Sequence, residues 1–101
     1  IEEVKRRVKQ QVKSNWRSYQ TAQIITQSRA EEITAAKNAL NGVREEAKVG
    51  QRTMMDILDA DQELIDAQVE HTQAERDEHL ARFALAKNLG LLNAEMIFSI
   101  K

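Results

Sequence analysis

A guanidinium, a hydroxyl and a run of carboxylates lie close together in mid-chain: Arg52, Thr53, Asp56, Asp59, Glu63, Asp66 and Glu70. The acids recur every three or four residues, so on a helix they form one ridge. Like charges at that spacing cost about 0.2–0.5 kcal/mol per pair, unless cations such as Arg52, Arg44 or Lys37 across a hairpin offset them. Two readings fit the ridge. In one it is a solvated face whose acids favour a helix N-terminus, with Asp56 serving as a cap. In the other it faces a water-filled passage, and Arg52 pairs with an aspartate in a bond that can be broken.

A second group, His71, Glu75 and His79, recurs at four-residue steps and so shares a helix face that could hold a transition metal. Eight residues put the two histidines roughly 12 Å apart along the axis, too far to share an ion, so a solvated face is the better reading and no metal or cofactor is expected. Catalysis finds no support: there is no glycine-rich phosphate loop and no nucleophile pattern, and the carboxylates line one helix rather than flank a cleft. With 15 basic and 16 acidic residues the net charge is −1, which removes the field that draws a chain to nucleic acid. Cysteine is absent, excluding thiol chemistry and disulfides without fixing a compartment. No segment has the roughly 18 consecutive apolar residues of a membrane span, and the charged start is no signal peptide, so the expectation is a soluble piece of something larger.

What positions these groups is helix. The 101 residues contain no proline and only Gly42, Gly50 and Gly90, and the 42% hydrophobic content is rich in alanine, which argues for long helices and against a thick core. Val8, Val12, Trp16, Tyr19, Ala22, Ala30, Ile33, Ala36, Leu40, Val43 and Ala47 predict one helix over about 3–49, roughly 70 Å long, that runs on through the Asn41-Gly42 turn signal. Lys48 and Gly50 read as a helix end, and Thr53 with Asp56 as a capping box. The tip is therefore 50–52, and a second helix spans about 53–89, its apolar face drawn from Met54, Ile57, Leu58, Leu64, Ile65, Val69, Leu80, Phe83, Ala84 and Ala86. So short a connection makes the pair an antiparallel, coiled-coil-like hairpin, all-α and a single domain over 1–101. Mirroring about Gln51 sets Tyr19 near Phe83, Trp16 near Ala86 and Ile33 near Val69. Gly90 ends the second helix, and Asn93 caps a short turn over 93–97 that buries Ile97, Phe98 or Ile100.

Alanines at 35, 36, 39, 60, 67 and 74 extend around the sides of both helices, which predicts neighbours on at least one flank. A stable, cooperatively unfolding monomer at micromolar concentration would count against that. At the tip, Arg52 and Gly50 can serve as solvated loop and backbone geometry alone, whereas Met54 and Met55 fit either core packing or contact with a partner.

The stretch Val49-Gly50-Gln51-Arg52-Thr53, followed by Asp56, Leu58, Asp59 and Ala60, resembles the tip signature of TolC-like outer-membrane efflux proteins. The likeness continues through Leu64 to Ala84-Leu85-Ala86-Lys87-Asn88-Leu89-Gly90 and Leu92-Asn93, and upstream to Gln11–Ala22 with Trp16 and Tyr19. It implies one helical hairpin of a periplasmic α-barrel, from a homotrimer that also forms a β-barrel in the outer membrane. It implies further that Val49, Gly50, Gln51, Arg52 and Thr53 dock on a periplasmic adaptor, or membrane fusion protein, and through it indirectly on an inner-membrane pump. Asp56 and Asp59 would line the constriction of the tunnel, with Arg52 in the bonds that hold it shut. Where some members carry a tyrosine two residues before the valine, this chain has Ala47. The competing expectation is a structural coiled-coil hairpin, either the adaptor's own or a scaffold module.

Overall fold

The computed structural model describes residues 1–100, with side-chain surroundings as far as Leu91 and again at Asn93 and Ala94. Two α-helices make up the fold, α1 over Glu2–Lys48 and α2 over Met54–Ile100, and no strand occurs among the described residues. The chain is thus the all-α helical hairpin that composition and periodicity predict. α1 crosses Asn41-Gly42 unbroken.

By its contacts the chain divides into two compact units, Ile25–Glu75, which contains the tip, and Ile1–Ile24 with Arg76–Lys101. In the tip unit the pairs Thr26–Ala74, Arg29–Glu70 and Arg44–Asp61 run in opposite directions along the two helices, which makes them antiparallel. Residue numbers in these pairs sum to 99–105, so the mirror through Gln51 expected from sequence lies within two residues of the observed one.

Beside the half-buried Ala30, Glu46, Asp56 and Asp61, the tip unit withdraws one row of positions from solvent: Thr26, Arg29, Ile33, Ala36, Leu40, Val43 and Ala47 on α1, and Ile57, Ala60, Leu64, Ala67, His71 and Ala74 on α2. The positions of this row alternate three and four residues apart, the 3.5-residue repeat with which two helices keep a common seam. Leu40, Ala60, Ala67 and Ala74 are buried, and the alanines let the backbones approach closely. Ala60, Ala67 and Ala74 therefore fill the seam, not the flanks. The other unit repeats the spacing with Lys5, Val8, Val12, Asn15, Tyr19 and Ala22 facing Glu78, Ala81, Leu85 and Asn88, of which Leu85 and Asn88 are buried. No buried side-chain polar atom among the described residues lacks a partner.

The apolar face expected of α2 is largely corrected. Only Ile57 and Leu64 of that set turn inward, while Met54, Leu58, Ile65, Val69, Leu80 and Phe83 are exposed. Trp16 is likewise exposed, with Asn15 in its seam place, because a strict 3.5 repeat passes one residue before it. Tyr19 meets Arg82, whose guanidinium lies 5.8 Å from the ring centroid, and not Phe83, whose ring sits against His79. Gly90 does not stop α2, and no separate turn forms over 93–97. A helical glycine costs about 1 kcal/mol relative to alanine, too little to end a helix whose preceding turn is anchored by Leu85 and Asn88. The expected burial of Ile97, Phe98 or Ile100 lies outside the residues whose surroundings are described.

Candidate functional site

The tip is a loop of five residues, Val49 to Thr53, between α1 and α2, two more than the three expected. Its first half ends α1. Gly50 has φ +80°, in the left-handed region open to glycine, and its N–H donates to Ala47 carbonyl at 3.1 Å while the Gln51 N–H donates to Glu46 carbonyl at 2.9 Å. These two bonds are the Schellman closure, which satisfies carbonyls that the helix end leaves open. Its second half starts α2. Thr53 N–H donates to Asp56 Oδ2 at 3.0 Å and Asp56 N–H to Thr53 Oγ1 at 3.3 Å, the reciprocal pair of a capping box. Hydrogen bonding of the Asp56 carboxylate to the Thr53 backbone N–H first, and to the Thr53 hydroxyl second, holds that carboxyl below its ordinary value.

Arg52 lies between the two halves, and its Nε donates to Glu46 Oε2 at 2.6 Å. That hydrogen bond, then the charge of Glu46, raises the guanidinium pKa. The expected pairing of Arg52 with an aspartate is therefore not made within this chain: the partner carboxylate belongs to α1, and Asp56 contributes only a weaker field. Sequence reasoning missed Glu46, although a signal was present, since Glu46 stands three residues before Val49 at a closure whose geometry Gly50 announces.

The acidic ridge is real as a surface. Asp59, Glu63, Asp66 and Glu70 are exposed along α2 and Asp56 is half-buried at its start. Arg29 reaches Glu70 from α1, and Gln62 donates to Asp66, while Asp59 and Glu63 have no ion pair among the described residues. Of the cations expected to offset the ridge, Arg44 meets Asp61 instead, at 3.9 Å, and Arg52 is taken by Glu46. His71 and His79 are not brought together: His71 Nδ1 lies 3.1 Å from Glu75 and His79 packs on Phe83. No metal-binding cluster occurs among the described residues, and among them no helix is long and apolar enough to cross a membrane.

A second surface crosses the tip unit: Met55, Leu58, Ile65 and Val69 are exposed on α2, and Ile65 and Val69 line a shallow depression with Gln68, Thr72 and Gln73. These positions share the 3.5 repeat but lie away from α1.

Comparison with known proteins gives one informative match. The chain is 36% identical over 97 residues to the outer membrane efflux protein BepC of Brucella suis biovar 1 (strain 1330), an alignment that takes in 96% of this chain and 21% of that protein. The chain thus spans about a fifth of the length of the curated relative it matches. No family model matches the chain, and no solved structure does. A near-complete alignment at this identity, over a helical hairpin carrying the Val49–Ala60 tip sequence, places the chain in the TolC-like outer-membrane efflux protein family.

Proposed function

We propose that the chain is the periplasmic tip hairpin of a homotrimeric outer-membrane efflux or type I secretion channel. Its loop, Val49 to Thr53, docks on an inner-membrane adaptor protein, and Arg52, Asp56 and Asp59 stand at the gate. The export it serves is passive, with energy supplied by a separate inner-membrane pump, and the hairpin catalyses nothing itself. Five tip residues carry the reading: both helix ends are closed by their own hydrogen bonds, so Val49, Gly50, Gln51, Arg52 and Thr53 are exposed yet held in one shape. A loop ordered before it binds loses little conformational freedom on docking.

Two surfaces support the wider assembly. The exposed apolar row Met55, Leu58, Ile65 and Val69 suits packing against a neighbouring helix of a barrel. The ridge led by Asp59 and Glu63 suits a water-filled lumen that favours cations.

The test is photo-crosslinking from position 51 of the full-length protein in cells. Capture of a periplasmic adaptor through its hairpin supports docking at the tip. Capture of sister protomers alone, or of nothing, returns the hairpin to a structural coiled coil.

A further inference from the structure

One residue, Glu46, holds three of the five loop residues: Val49, Gln51 and Arg52. The Glu46 carbonyl accepts the N–H of Val49 at 3.3 Å and of Gln51 at 2.9 Å, and its carboxylate accepts Arg52 Nε at 2.6 Å. In a Schellman closure the side chains at the positions of Glu46 and Gln51 are usually apolar and touch each other. Both are polar here, and the Glu46–Arg52 ion pair closes the loop in place of that contact. A guanidinium carries five N–H donors, and the bond to Glu46 uses the one on Nε. The terminal nitrogens of Arg52 have no hydrogen-bond partner among the described residues, and the side chain is 48% exposed.

We propose that Glu46 is the positioning residue of the tip, holding Arg52 by Nε so that the two terminal nitrogens stand as a preset fork for carboxylate or carbonyl oxygens of a docking partner. A guanidinium is planar, so fixing one edge fixes the plane of the fork and leaves little rotamer freedom to lose on binding. This inference rests on the docking function proposed above.

Two readouts on the intact protein that contains this chain test it. The first is the rate at which phenylglyoxal modifies Arg52, followed by mass spectrometry, in the wild type, Glu46→Ala and Glu46→Gln. Arg52 should react about two- to fivefold faster in Glu46→Ala, the effect of losing one exposed ion pair, and at an intermediate rate in Glu46→Gln, which keeps an acceptor without the charge. The second is crosslinking from position 51. Glu46→Ala should lower adaptor capture by about the same factor as Arg52→Ala, and the double variant should add nothing further, since the two residues act as one unit.

Equal Arg52 reactivity in wild type and Glu46→Ala overturns the positioning role, whatever docking does. Loss of capture in Arg52→Ala but not in Glu46→Ala also overturns it, and leaves docking at the tip intact. Absence of adaptor capture from the wild type, with Arg52 still protected, marks failure of the docking reading itself and removes the fork's purpose with it.

Discussion

Arg29 of α1 binds Glu70 of α2 at 3.0 Å while holding Glu32, three residues along its own helix, at the same distance. Arg29 occupies a seam position, where two helices usually meet through apolar side chains, so its stem lies along the contact and its charged end reaches the rim. The guanidinium is held above its ordinary pKa, by Glu32 first and Glu70 second. Both acids are about half exposed, so the pair sets register more than it adds stability. Arg29→Glu should lower the melting temperature, and adding Glu70→Arg should recover part of the loss. A cycle of thermal melts in low and high salt checks this, since an ionic coupling shrinks as salt rises.

Burial along the seam separates residues that look alike in the sequence. Leu40 is 4% exposed and Phe83 is 70% exposed. Leu40→Ala should destabilise the hairpin by about 2–3 kcal/mol, near the low end for a core leucine because a two-helix seam collapses readily around a gap. Phe83→Ala should change stability by no more than about 0.5 kcal/mol in the 101-residue chain. Urea unfolding followed by circular dichroism distinguishes the two, and an equal loss for both would move the seam.

The three glycines should respond with opposite signs. Gly50 has φ +80°, so Gly50→Ala should cost about 1–2 kcal/mol even though open space surrounds the position. Gly42 and Gly90 lie within helices with nothing near an added methyl, so Gly42→Ala and Gly90→Ala should each stabilise by about 0.5–1 kcal/mol. Thermal melts of the three variants check the pattern.

The start of α2 should depend on pH at the acid end. Asp56 has its carboxyl held below the ordinary 3.8 by Thr53, so the folded state binds the proton less readily than the unfolded chain does. Its contribution is complete above about pH 4 and is lost as pH falls through the lowered folded value. Amide exchange at Thr53 should therefore quicken below pH 4 relative to amides deep in α2, once intrinsic rates are divided out. Thr53→Ala removes the hydroxyl half of the box and should cost about 1 kcal/mol at neutral pH.

Much of this molecule is written in short-range chemistry. The helices, the closure at Gly50, the capping box from Thr53 to Asp56 and the antiparallel mirror near Gln51 follow from backbone propensity, from the donors and acceptors a helix end must satisfy, and from a connection too short for any other arrangement. The ridge from Asp56 to Glu70 was legible for the same reason, since its spacing needs only one helix. Which faces meet was decided by the pairing of the two helices. Hydrophobicity alone favoured Leu58, Ile65, Val69, Trp16 and Phe83, yet a shared 3.5-residue repeat and close backbone approach selected Ala60, Ala67 and Ala74, with Asn15, Arg29 and His71 carried inward by their place in the repeat. Arg52 found Glu46 rather than an aspartate because the glycine closure turns the chain back over the last turn of α1, a distance in space that no spacing along the sequence records.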